Sequence, residues 1–123
     1  MKQVITKQGR MKVLQARNGI RPLPVIKGIA LGNGAEIGEH LIPLNEASSM
    51  LQNEVIRKEC VSKQINDSCF RYRIVLEENE LVNVKINEAA LYDADGELLA
   101  INVFIGKRKT GGMELAIEFD DRF

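Results

Sequence analysis

Asp93-Ala94-Asp95-Gly96-Glu97 is the run of this chain closest to a ligand site, because carboxylates two residues apart before a glycine open calcium loops. A calcium loop needs glycine at its sixth position and glutamate at its twelfth. Here the glycine directly follows the second acid, and the twelfth residue from Asp93 is Phe104. A tight turn is the better reading: aspartate accepts from its own backbone and glycine takes the positive φ. Ile105 to Gly112 holds the glycines, lysine and threonine of a phosphate loop, but in the wrong order and ahead of a strand, so a basic hairpin tip is expected. His40 lies in a loop with no identifiable serine or cysteine nucleophile and no orienting acid, and reads as a surface histidine. Cys60 and Cys69 flank a polar stretch and are expected to face each other across a hairpin as free thiols. No catalytic set, metal site or cofactor site assembles from these residues, and no enzyme activity is expected.

The elements that must position these residues are mostly strands. Thr6 is placed to cap a short helix over residues 7–18. Asn18-Gly19 ends that helix, and Gly9 weakens it. Met11 and Leu14, with Val4 or Val13, form a modest apolar stripe, which leaves Lys7, Arg10, Lys12 and Arg17 in water. Arg21-Pro22-Leu23-Pro24 is an extended connector, and Val25 to Leu31 a buried strand. Gly32-Asn33-Gly34 turns the chain into a long irregular segment to about residue 44, and Asn45 to Leu51 is expected to make a turn or two of helix.

Strands then dominate. Asn53 to Val61 alternates loosely, and Ser62 to Ser68 reads as the polar turn of a hairpin. Cys69 to Leu76 alternates cleanly, with Phe70, Tyr72, Ile74 and Leu76 on one face and Arg71 and Arg73 on the other. Val82, Val84 and Ile86 alternate until Ala89, Ala90 and Leu91 break the phase, as a bulge or a change of buried face would. Leu98 to Ile105 is apolar on both faces except Asn102, which predicts a central strand. Met113, Leu115, Ile117 and Phe119 mark a half-exposed last strand. Glu88 stands inside an apolar strand, so its burial requires Arg57 or a backbone N–H as partner. The fold class is α+β and mainly β: one 123-residue domain with a short N-terminal helix, then a predominantly antiparallel sheet or sandwich over about residues 25–119.

Composition agrees with such a domain: 45% of residues are apolar and 28% charged, and no apolar run reaches the ~18–20 residues that span a bilayer. The N-terminus carries no secretory signal, and two cysteines make no disulfide framework, so synthesis in a reducing cytoplasm is expected. Charge is unevenly placed. Residues 1–30 hold seven basic groups and no acid, while the remainder holds ten basic and seventeen acidic groups, so the two parts are +7 and −7. Nucleic-acid binding is disfavoured, because the basic segment has no aromatic residue for stacking and the whole chain has no net positive charge. Two readings remain for the basic segment: its charges are neutralised by acids within the fold, or they mark head-to-tail contact between copies.

Ile86-Asn87-Glu88-Ala89-Ala90-Leu91-Tyr92-Asp93-Ala94-Asp95-Gly96-Glu97-Leu98-Leu99-Ala100 resembles the E-x-G-L-Y-D-x-D-G-x-L-I-A signature of phage tail-collar fibre proteins, with Ala90 where the family usually has glycine. Three further segments follow the family's order: Val4-Ile5-Thr6-Lys7-Gln8-Gly9 with Lys12 and Ala16, Ile26 to Gly34 ending in Leu31-Gly32-Asn33-Gly34, and Leu51-Gln52-Asn53-Glu54-Val55-Ile56-Arg57. The resemblance covers roughly residues 4–105. It implies a tail-fibre or baseplate attachment domain of a phage or prophage, made in the bacterial cytoplasm and carried in the virion tail. It also implies docking on baseplate or tail proteins and assembly with copies of itself, a trimer by family habit, with no nucleic acid or membrane partner. Receptor binding, which belongs to the shaft and tip of such fibres, is not implied for this chain. The residues expected at interfaces or in the motif are Lys7, Arg10, Lys12, Arg17, Gly32, Gly34, Asn53, Glu54, Arg57, Glu88, Leu91, Tyr92, Asp93, Asp95 and Gly96, with Leu91-Tyr92 the aromatic anchor unless Tyr92 packs in the core. A different class is also open: a small-ligand or carbohydrate-binding β module using the 32–44 loop, which would need an aromatic-lined pocket.

Overall fold

The computed structural model describes residues 2–45 and 47–123. Strand β1 (Lys2–Ile5) leads into helix α1 (Lys7–Arg17), then β2 (Ile26–Gly32) and a small hairpin of β3 (Glu36–Ile37) and β4 (His40–Leu41). The remaining strands are β5 (Glu54–Glu59), β6 (Val61–Asn66), β7 (Cys69–Leu76), β8 (Lys85–Asp93), β9 (Leu98–Arg108) and β10 (Leu115–Arg122). A five-stranded sheet runs β1-β9-β8-β2-β5 and a three-stranded sheet runs β10-β7-β6, with every neighbouring pair antiparallel. Mainly β with one short N-terminal helix is therefore the fold.

The sheets meet at a corner. β5 belongs to the larger sheet and β6 to the smaller, and only Cys60 separates them, its N–H donating to the Lys27 carbonyl. Folding over that corner packs Ile29, Leu31, Ala89, Leu91 and Ala100 against Ile74, Leu76, Ile117 and Phe119. The other face of the larger sheet has a second core of Ala30, Ala90, Tyr92, Leu98 and Ile101, closed by Leu51. β8 is thus covered on both sides, and every residue from Ile86 to Asp93 is buried. Its broken alternation has that cause together with two register shifts against β9, at Ile86/Glu88 and Leu91/Tyr92.

α1 is capped as expected: Thr6 Oγ1 accepts from the Gly9 N–H at 3.0 Å and donates to the Leu98 carbonyl at 2.7 Å. Its orientation differs from the expected one. Met11 and Leu14 are 50% and 57% exposed, whereas Gly9 and Lys12 are buried. The helix docks through the side that carries Thr6, Gly9 and Lys12, because only glycine lets its backbone lie directly on β9. A Cβ at position 9 would collide with the Leu99 carbonyl oxygen and press on Thr6 Oγ1. Gly9→Ala gains about 1 kcal/mol of helix propensity, but overpacking against backbone costs about 1–3 kcal/mol. A net loss of stability is expected, read as a lower urea midpoint at unchanged slope.

Several other expectations are corrected. Residues 62–66, read as turn, belong to β6, and the reversal is the two-residue step Asp67-Ser68. Cys60 and Cys69 therefore do not face each other, since Asn66 is the residue opposite Cys69 and Cys60 lies at the far end of β6. The 32–44 segment is not wholly irregular, because it contains the β3–β4 hairpin. No helix forms over the described residues of 45–51, where the Asn45 side chain instead accepts from the Ala47 N–H at 2.8 Å; Glu46 lies outside the described residues. The basic 105–112 stretch is not a hairpin tip: residues 105–108 belong to β9, β9 and β10 lie in different sheets, and Lys109 is wholly buried, donating to the Glu78 and Met113 carbonyls. No helix among the described residues is long and apolar enough to cross a membrane.

Candidate docking surface and the frame behind it

The acids of the 93–97 turn do hold a cation, but it is Lys12. Lys12 Nζ lies 2.6 Å from Asp93 Oδ2, 2.7 Å from Glu97 Oε1 and 3.3 Å from Asp95 Oδ2. Asp93 Oδ1 accepts from the backbone N–H groups of Asp95 and Glu97 at 3.0 and 3.1 Å, and Gly96 sits at φ +82°, so the tight turn is as expected. Lys12, expected in water, has 3% of its side chain exposed. Burial pulls its ammonium pKa down, but the hydrogen bonds to Asp93, Glu97 and Asp95 outweigh burial and hold it above the ordinary lysine value. Arg21 adds a contact to Asp95 at 3.2 Å and Lys27 one to Glu59 at 3.7 Å. Part of the basic N-terminal segment is thus neutralised inside the fold.

Glu88 does the same for the loops. Its carboxylate accepts from the backbone N–H of Gln52 at 2.8 Å, Asn53 at 2.9 Å and Gly34 at 3.1 Å. Next to it, Asn87 Oδ1 accepts from the Ala35 N–H at 2.9 Å. Gly32 is needed at this crowding point, because a Cβ there would lie 2.6 Å from the Asn53 carbonyl oxygen and strike the Glu88 carboxylate. The expected Glu88–Arg57 contact is absent; the backbone N–H alternative is the one realised. Arg57 instead pairs with Glu54 at 2.6 Å, donates to the Gly96 carbonyl at 2.7 Å and lies 4.9 Å over the Tyr92 ring. The bond to Glu54 raises its pKa against the opposing effect of burial.

The four segments of the family pattern are therefore tied together along β8 and its turn. Lys12 of α1 holds the 93–97 turn, Arg57 of β5 holds the same turn from the other side, and Glu88 ties residue 34 to residues 52 and 53. Leu91 and Tyr92 are 1% and 7% exposed and pack in the two cores, so neither is a surface anchor. Lys7, Arg17, Asn53, Glu54, Arg57 and Asp95 remain exposed, Arg10, Gly34 and Gly96 are half-buried, and Gly32 is buried. These motif residues form a frame.

The surface with docking chemistry lies elsewhere. An apolar groove of about 310 Å³ is lined by Ile5 and Val13, by Leu23, Pro24 and Val25 of the connector, by Leu99, and by Phe123. Leu23, Val25 and Phe123 are 63%, 77% and 91% exposed, a concentration of uncovered apolar side chains that marks interaction sites on soluble proteins. Tyr72, Asp121 and Phe123 continue it into a second hollow beside Phe70. Among the described residues the Asp121 carboxylate makes no hydrogen bond or ion pair, and burial raises its pKa above the ordinary aspartate value. A raised acid binds more protons folded than unfolded, so its charge lowers stability as pH rises through the interval above the ordinary value. Asp121→Asn is accordingly expected to raise the thermal midpoint of the isolated chain at neutral pH, with the gain fading below the ordinary aspartate range.

His40 is exposed on β4. The cavity beside the 32–44 segment, about 210 Å³, has no aromatic residue among the described residues of its lining. Among the described residues no three His, Cys, Asp or Glu side chains are grouped to hold a metal. A family model described as phage tail-collar fibre protein, N-terminal, matches residues 1–114. No curated protein and no solved structure matches the chain. With its motif segments joined in a single frame and the match running through β9 into the approach to β10, the chain belongs to the phage tail-collar fibre protein family, which makes it a structural component of a phage tail.

Proposed function

We propose that this domain is an attachment piece: it seats its apolar groove on a tail or baseplate protein, and copies of it assemble together in the virion. The groove of Ile5, Val13, Leu23, Val25, Leu99 and Phe123 carries the reading, because exposed Ile5 of β1, Leu23 and Val25 of the connector and Phe123 converge there on half-buried Val13 and Leu99. The half-buried Asp121 carboxylate, unpaired among the described residues, gives the groove a preference for an apolar partner segment that also brings a cation or an N–H donor. Exposed Lys7 and Arg17 on α1 add a basic flank suited to steering an acidic partner surface. Behind the groove, the frame around Lys12 and Glu88 supplies rigidity, and nothing in this mode of action requires chemistry on a substrate.

The test is incorporation. Leu23→Asp/Val25→Asp changes two side chains that are already largely in water, so the folded chain is expected to keep its thermal midpoint. In cells supplying all other tail proteins, the variant is expected to be missing from purified tails while the unaltered chain is present. Incorporation of the variant at the unaltered level overturns the groove as the docking site.

A further inference from the structure

Every residue of β6, Val61 to Asn66, is exposed, which holds for no other strand among the described residues. A six-residue strand with Val61 68% and Ile65 39% exposed buries almost nothing within its own chain. It is also an edge, since the three-stranded sheet ends on β6 at one side and on β10 at the other. Unpaired edges of this length are templates for pairing with another strand.

The β10 edge borders a groove of about 410 Å³ between the two sheets. Asn102 lines that groove from β9, is 7% exposed, and its Oδ1 accepts no hydrogen bond among the described residues. A buried acceptor left unmet costs about 1–3 kcal/mol, and Gln3, which lies opposite Asn102 in register and lines the same groove, does not donate to it. Register identifies a source of donors. Ser62 and Gln64 lie opposite Tyr72 and Phe70, and Tyr72 lies opposite Phe119, so these β6 residues share the sheet face that looks towards the larger sheet. A strand like β6 laid beyond β10, with its sheet facing the same way, turns hydroxyl and amide donors towards Asn102. Charge agrees: Lys63 is the only charged residue of β6, while β10 carries Glu118, Asp120 and Asp121 against Arg122 alone. Lys63 shares a face with Glu118 and Asp120, which also line the groove that holds Asn102.

We propose that β6 of one copy pairs with the free edge of β10 of the next, extending the three-stranded sheet from chain to chain, with Ser62 or Gln64 of the incoming strand donating to Asn102. This names the surfaces for the self-assembly part of the function proposed above and rests on that part. Each copy offers one β6 edge and one β10 edge, so the contact is heterologous and builds a ring or an open row.

The full chain is followed by light scattering over a concentration series. Lys63→Glu and Glu118→Lys each place like charges side by side and are expected to weaken association about tenfold, a shift of roughly 1.4 kcal/mol. The combined variant is expected to recover it. Asn102→Leu removes the unmet acceptor, so the separate chain should be at least as heat-stable while its association weakens. A chain that stays monomeric at every concentration overturns both this pairing and self-assembly, leaving docking through the apolar groove intact. Association that ignores all three single changes, or is not recovered in the combined variant, overturns the β6–β10 assignment alone.

Discussion

Lys12→Met is expected to lower the unfolding free energy by about 3–5 kcal/mol, the cost of breaking a buried ion pair from one side. Methionine preserves most of the volume of the lysine stem, so the loss isolates the charge. Asp93 has 2% of its side chain exposed and has no route to water, whereas Asp95 and Glu97 are 62% and 48% exposed and are free to turn outwards. Asp93 Oδ1 keeps its two backbone donors in the turn, so what the substitution strands is the charge on Oδ2. Lys12→Met/Asp93→Asn should therefore recover a large share of the loss, because the asparagine oxygen still accepts from the turn and no buried charge remains. The pH behaviour follows from the raised lysine pKa: the stabilisation is complete below the ordinary lysine value and is lost only as pH rises through the higher folded one. Urea unfolding followed by circular dichroism at neutral and alkaline pH checks both statements. A loss under about 1 kcal/mol would place the contact with ordinary surface pairs and remove it from the frame.

The fate of Lys12 also shows where reading the chain succeeds and where it stops. Local chemistry was legible. Thr6 caps α1, Asp93 and Gly96 make a tight turn, and the alternation over 69–76 is β7 to the residue. The phase break before Leu91 was legible too, because a strand covered on both faces has no reason to alternate. The orientation of α1 was not. A lysine is placed in water by default since burying its charge is costly, and the acids that offset this cost come from a turn 81 residues later. Once Lys12 and Gly9 face inwards, Met11 and Leu14 must face outwards, against the apolar stripe that periodicity favours. β6 was hidden for the opposite reason: a strand exposed on both faces has the composition of a loop. The family pattern was recognisable by residue type, yet type alone did not separate frame from surface. Tyr92 is core, and the groove is built from Ile5, Leu23, Val25 and Phe123, which no local pattern links.

Glu88→Ala is expected to be the most damaging change in the loop region, because it removes the acceptor of three backbone donors together. Gly34 and the Gln52–Asn53 pair lie just beyond the last β2–β5 partners, Gly32 and Glu54, where the Asn33 N–H donates to the Asn53 carbonyl at 3.1 Å. The buried Glu88 carboxylate adds three further bonds between the two segments and β8. Each buried donor left without an acceptor costs about 1–3 kcal/mol. Water entering the vacated space recovers part of that, so a net loss of about 3 kcal/mol or more is expected. Glu88→Gln separates the hydrogen-bond effect from the charge. Its single oxygen can take the place of Oε2, which serves Gly34 and Asn53, but its amide group then points an N–H at the Gln52 N–H, so a smaller loss confined to that donor is expected. Amide hydrogen exchange distinguishes the two variants residue by residue: alanine should deprotect all three amides, glutamine chiefly that of Gln52. The consequence reaches the rest of the molecule, since Leu51 closes the second core and Glu54 orients Arg57 over Tyr92 and onto the 93–97 turn. If instead the three amides keep their protection in the alanine variant, the loops are held by their own packing, and the carboxylate is not the bridge that couples them to β8.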